Sequence, residues 1–185
     1  RGEQEPDSDI DILVITDDIN KFIEIGKYHI IVVSLEQVTN ALKENIITIL
    51  PLIKEARAIL NKNLLKELKN TPITANKLRW HIDTTKSALK IVKSLMDLEE
   101  NKILKSPAII YSLILRLRGA YIVDCLLKNK NYSTKDLVNW ISKKLDRKFV
   151  EELYAIYKAE RDNKNIPKYK TMKEDVEKLY NIVKE

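Results

Sequence analysis

Asp7-Ser8-Asp9-Ile10-Asp11-Ile12-Leu13-Val14-Ile15-Thr16 is the stretch on which the reading of this chain turns. From Ile10 to Thr16 the residues are aliphatic and mostly β-branched, and they follow a polar run containing Pro6. That pattern predicts a buried strand ending at Asp17-Asp18. Asp9 and Asp11 are two apart, and residues i and i+2 of a strand share a face. Both carboxylates are therefore expected side by side at the strand's start, projecting into a cleft. Neighbouring carboxylates repel unless a hard divalent cation compensates them, and Mg²⁺ held by one or two carboxylates plus substrate phosphates is the usual arrangement. A second ion then steadies the attacking and leaving oxygens of an in-line displacement at phosphorus. A bare Asp-x-Asp is common in solvated loops. The position at a strand entry, with Ile10, Ile12 and Leu13 as apolar anchors, sets this one apart.

Upstream the string continues as Arg1-Gly2-Glu3-Gln4-Glu5-Pro6. Arg1-Gly2 and Pro6-Asp7-Ser8-Asp9-Ile10-Asp11-Ile12-Leu13-Val14 resemble the signature of the DNA polymerase beta-like nucleotidyltransferase superfamily, in its minimal, archaeal form. The resemblance implies that Asp9 and Asp11 are the catalytic residues and hold two Mg²⁺ ions. It implies that Ser8, with Asp7, shapes the strand entry and contacts nucleotide. The family's Gly-Ser pair, whose backbone amides cradle the phosphates, is not in the chain. With Arg1 at the start, the family pattern places that pair, a helix and a strand upstream, and an open sheet edge is expected along residues 10–16. The family also carries a third carboxylate on the next strand. Here that strand is predicted as Tyr28–Ser34, and the best-fitting position is Ile31, with His29 on the same face. Neither is a carboxylate. His29 offers an imidazole as general base, although a strand-edge histidine more often makes a plain polar contact. The segment Ile53-Lys54-Glu55-Ala56-Arg57-Ala58-Ile59-Leu60-Asn61 extends the resemblance to about residue 70.

Downstream of the first strand, Ser34 with Gln37 forms a capping box for a helix from Leu35 to about Ile49. Pro51 is expected to start a short helical piece, Arg57–Leu60 to form a short strand, and Lys62–Lys69 a closing helix. Asn70-Thr71-Pro72 punctuates the chain, and beyond it no strand signal is seen. Five helices are predicted there, starting at Thr74, Ser106-Pro107, Ser133, Asp146 and a Thr171/Glu174 box. The first carries apolar residues at Leu78, Ile82, Leu89, Val92 and Met96, and the fourth at Phe149, Val150, Leu153, Tyr154 and Tyr157. Five helices with short loops describe an up-and-down bundle. Its architecture resembles the helical domains that follow such cores, in kanamycin nucleotidyltransferase-like proteins and the HEPN group. The HEPN ribonuclease pattern of Arg followed by His at short spacing is missing before His81, which reads as a packed or surface residue. Arg116 and Arg118 interrupt an apolar helix just before Gly119. One of them is expected to face the cleft and bind phosphate, against the simpler reading that both snorkel to solvent.

The whole chain fits this frame. Its 185 residues are enough for a sizeable core, and 44% apolar with 32% charged residues exclude a disordered composition. A formal charge of +6 suits an anionic partner such as nucleotide or nucleic acid. The one cysteine, Cys125, forms no internal disulfide, which suits a reducing cytoplasm. The apolar stretch from Pro107 to Leu127 is broken by Arg116, Arg118 and Asp124, so no membrane span is expected. Abundant Lys, Ile, Asn and Glu with three Gly suggest an AT-rich or archaeal source. The reading is an α+β chain with a small mixed β-sheet, a nucleotidyltransferase-like core over 1–71 and a substrate- or partner-binding helical bundle over 72–185. The expected reaction is Mg²⁺-dependent transfer of a nucleoside monophosphate from an NTP to an unidentified hydroxyl of a small molecule, protein or RNA, in a monomer or homodimer. The alternative is a catalytically impaired relative that binds nucleotide or RNA as a toxin–antitoxin-like interaction module. The missing third carboxylate and Gly-Ser pair favour the alternative, and the intact Ser8-Asp9-Ile10-Asp11 favours the transferase.

Overall fold

In the computed structural model, residues 9–100, 102–104, 106–165 and 171–185 are described. Strand β1 (Ile10–Thr16) lies parallel to β3 (Tyr28–Ser34), and β2 (Lys21–Ile25) pairs antiparallel with β3, giving the order β1-β3-β2. Sequence reading missed β2. Lys21-Phe22-Ile23-Glu24-Ile25 alternates in polarity and leads into a two-residue turn, Gly26-Lys27. Gly26 takes φ +58°, a left-handed value that a glycine adopts without steric cost. The Ile10 amide then donates to the Lys27 carbonyl at 2.7 Å, which fixes the start of β1 against this hairpin.

Ser34 ends β3 and caps α1 (Leu35–Glu44): its hydroxyl accepts from the Gln37 amide at 3.1 Å. The single helix expected to Ile49 is two helices. Asn45, at φ −148° and ψ 76°, closes α1 and opens α2 (Ile46–Glu55), and Pro51 lies inside α2 instead of starting a new piece. Residues 57–60 form no strand. β-propensity there finds no adjacent edge to pair with, and Ile59 and Leu60 stand 85% and 86% exposed. Helix α3 (Lys62–Lys69) follows, capped by Asn61.

The five helices expected downstream are present as α4 (Ala75–Leu98), α5 (Pro107–Leu127), α6 (Thr134–Ile141), α7 (Arg147–Arg161) and α8 (Lys173–Lys184). Ser133 and Asp146 make the predicted cap bonds, to the amides of Asp136 and Phe149. The Thr171/Glu174 box does not form. Thr171 belongs to a two-residue strand, β5 (Thr171–Met172), paired antiparallel with β4 (Ile103–Leu104), and Met172 is the cap of α8. This short ladder, which sequence reading did not foresee, ties the α4–α5 link to the start of α8. The class is α+β.

Two cores hold the molecule. One gathers Met96, Ile110, Leu113, Leu117, Leu137, Val150, Leu153, Tyr157, Val176 and Leu179 from all five later helices. The other joins Val38, Leu42, Ile46, Leu50 and Ile53 to Ile122 and Leu126 of α5, with Ile15, Val33, Leu65 and Leu78 against it. The second core therefore crosses the punctuation at 70–72: α1 and α2 share it with the C-terminal half of α5, and Ile15 and Val33 of the sheet pack against the cluster. On α4 the buried stripe differs from expectation. Ile82 is exposed, and His81 is buried in its place, packed on Gly119 of α5.

Strand alternation divides the sheet into two unlike faces. Ile15 and Val33 point toward the helices, so Leu13 and Ile31, then Asp11 and His29, share that face. The opposite face carries Ile10, Ile12, Val14, Ile23, Ile25, Tyr28, Ile30 and Val32. Among the described residues no helix covers that apolar face, and no strand pairs with the outer edge of β1. The edge along residues 10–16 is open in that sense, as expected.

Candidate functional site

The register brings three strands to one point. Asp11 of β1 and Glu24 of β2 both pair with His29 of β3, and Asp9 lies two residues before Asp11 on the same side. The side chains converge accordingly. His29 Nδ1 is 3.8 Å from Asp11 Oδ1, and His29 Nε2 is 3.9 Å from both Asp9 Oδ1 and Glu24 Oε1. Asp9 and Asp11 thus share a face, as their spacing predicted. Among the described residues the site is open: the side chains of Asp9, Asp11 and Glu24 are 58%, 74% and 62% exposed, and His29 forms the half-buried floor. Phe22 flanks the imidazole, with ring centroids 6.1 Å apart.

Glu24 is the functional candidate that sequence reading missed. Its signal was the hairpin: a polar residue in an alternating run, two positions before a Gly-containing two-residue turn, falls opposite the matching residue of the next strand. Ile31, the position expected for a third carboxylate, pairs instead with Leu13 and Phe22 in an apolar row.

The arrangement concentrates negative charge. Three carboxylates around one imidazole attract a cation. Their hard oxygens suit Mg²⁺, and their exposure leaves room for phosphate oxygens and water to complete six ligands. Among the described residues, no group of three or more His, Cys, Asp or Glu is placed so that it could hold a metal ion.

The remaining expected site residues fall elsewhere. Ser8 lies outside the described residues. Arg116 turns to α4, where its Nη1 donates to Thr84 Oγ1 at 3.5 Å while its Nε is buried without a partner. Arg118 lies over the Tyr132 ring, 5.2 Å from its centroid. Neither guanidinium has a described contact with Asp9, Asp11, Glu24 or His29. Ile15 and Val33 of the sheet pack against the cluster that α1 and α2 share with α5, and Asp11 is four residues back along β1 from Ile15, about 13 Å at strand rise. Arg161, at the end of α7, donates to Asp162 and lies 5.9 Å from the Tyr157 ring centre.

The other histidine is structural. Burial, and then the charge of Arg116, hold His81 below its ordinary value. The folded state thus binds fewer protons here than the unfolded chain, so His81 contributes stability that is present above about pH 6.5 and lost as pH falls through the lowered value. Denaturant midpoints measured from pH 7.5 to 5 are expected to fall more for the wild type than for His81→Gln. Parallel profiles would contradict this assignment.

No protein-family model, curated protein or solved structure matches the chain. Among the described residues no helix is long and apolar enough to cross a membrane.

Proposed function

We propose that this chain carries the metal-binding half of a nucleotidyltransferase site. The reading rests on the convergence of Asp9, Asp11 and Glu24 on His29 across three strands, together with the resemblance of the residue 6–14 string. Asp9 and Asp11 hold Mg²⁺, and Glu24 supplies the third carboxylate. When bound, the ions neutralise the triphosphate and the charge that builds on the α-phosphoryl group. His29 takes the proton of the acceptor hydroxyl, its imidazole steadied by whichever carboxylates remain free. The acceptor oxygen forms a bond to the α-phosphorus as the bond from that phosphorus to the bridging oxygen breaks, and pyrophosphate leaves.

The second reading, nucleotide binding without transfer, is favoured by the open setting. A site whose carboxylates are more than half exposed does little to exclude water or hold a triphosphate in line. One experiment separates the two. The protein is incubated with each NTP labelled at the α-phosphate, with Mg²⁺ or with EDTA, in the presence of total RNA and of itself as acceptors. Mg²⁺-dependent release of pyrophosphate with label on an acceptor supports transfer. NTP binding in calorimetry without transfer supports the second reading. No Mg²⁺-dependent NTP binding at millimolar concentration rejects both.

A further inference from the structure

A second charged feature lies away from the carboxylates, where the chain leaves α2 and enters α3. The 56–58 segment and one face of α3 bound a depression of about 410 Å³, lined by Arg57, Lys62, Lys66 and Lys69 together with Ala56, Ala58, Leu65 and Asn70. Four cations line it, and no carboxylate is among the lining residues. Lys62, Lys66 and Lys69 are spaced i, i+4 and i+7, which stacks them along one face of α3 over about 10 Å. The Lys69 ammonium donates to the Ala56 carbonyl at 2.8 Å, so it ties the two walls together and keeps its remaining protons at the groove. Ile59 and Leu60, 85% and 86% exposed, stand on the loop between Ala58 and Asn61.

We propose that this groove binds the phosphodiester backbone of single-stranded nucleic acid. The proposal is independent of the transferase reading. Four like charges gathered in a concavity repel one another, and a polyanion relieves that repulsion while releasing its own counterions. Their layout selects the kind of anion. A single phosphate or nucleotide calls for cations converging on one point, whereas three of these four, Lys62, Lys66 and Lys69, are strung in a line along α3, as successive phosphates of an extended strand are. A bilayer surface is flat and calls for a convex or level basic face, and here the cations line a hollow. The apolar floor and the exposed Ile59-Leu60 pair offer contact to unstacked base faces, which a duplex keeps hidden.

The test is fluorescence anisotropy of labelled U12 and dT12 with the full chain, between 50 and 200 mM salt, with unlabelled 12-base-pair duplex as competitor. If all four cations meet phosphates, log K is expected to fall against log salt with a slope of about −2.8, at about −0.7 per phosphate neutralised. Lys62→Glu/Lys66→Glu is expected to weaken binding more than tenfold and to flatten that slope. Lys86→Glu/Lys90→Glu, exposed on α4 with the same spacing and charge change, is expected to leave both nearly unchanged. Circular dichroism confirms that each variant folds. Equal losses in the two double variants would reduce the effect to diffuse surface charge and overturn the proposal. So would absence of salt-dependent binding, or duplex competing as well as single strand. Binding to phosphatidylserine vesicles but not to U12 or dT12, abolished by Lys62→Glu/Lys66→Glu, would assign the groove to a membrane surface instead.

Discussion

Asp11→Asn is expected to lower nucleotidyl transfer about 10³-fold while leaving the fold intact. The substitution keeps the shape of the side chain and removes the charge that a metal ion requires. Loss of a metal's charge stabilisation at phosphorus is worth several kcal/mol, and each 1.36 kcal/mol is tenfold in rate. Stability is expected to change by no more than about 0.5 kcal/mol, because Asp11 is 74% exposed and its one described partner, His29, is 3.8 Å away. Asp9→Asn should behave alike. Glu24→Gln separates the roles: a loss comparable to that of Asp11→Asn makes Glu24 a metal holder, whereas a loss of about tenfold makes it a positioning partner of His29. The measurement is initial rate of pyrophosphate release at saturating NTP, with the denaturant midpoint recorded for each variant. Transfer at the wild-type rate in Asp11→Asn would remove the metal-binding role from the sequence pair on which the reading began.

The Asp9–Asp11 pair was legible because strand periodicity is local: once Ile10–Thr16 is read as a strand, i and i+2 must share a face. The caps at Ser34, Ser133 and Asp146 were legible for the same reason, each depending on the next three residues. What failed was non-local. Glu24 becomes a site residue only through the cross-strand register with His29, which depends on recognising the Gly26-Lys27 turn. The two-residue β4–β5 ladder joins segments nearly 70 positions apart and has no periodic signal of its own. Arg116 and Arg118 could be read as unusual in an apolar helix, but not which neighbour each would meet, since that is set by the packing of α5 against α4 and by the position of Tyr132. The groove at α3 gave no sequence signal, because a stripe of lysines on a helix does not reveal that residues 56–58 form the other wall of a groove.

Gly119→Ala is expected to destabilise the protein, against the intrinsic preference of the helix. Gly119 lies inside α5, where Ala would ordinarily gain up to about 1 kcal/mol. Here the added methyl would lie 2.3 Å from His81 Cε1 and 2.9 Å from Nε2. The ring cannot easily retreat, since His81 is 9% exposed between α4 and α5. Overpacking of this kind costs about 1–3 kcal/mol, so at the full helix gain the net effect is a loss of up to about 2 kcal/mol and a fall of up to several degrees in Tm. The double variant Gly119→Ala/His81→Ala makes the cause explicit. His81→Ala alone opens a cavity and destabilises. If the clash is the mechanism, Gly119→Ala on that background should be neutral or stabilising, giving a coupling energy above about 1 kcal/mol in a thermal or denaturant cycle. Additive losses would mean that the ring and residue 119 do not touch, and stabilisation by Gly119→Ala alone would mean that α4 and α5 stand further apart than this contact requires. Because His81 is also the group whose burial makes stability pH-dependent, Gly119→Ala should alter that dependence too, whereas a substitution on the far face of α5 should not.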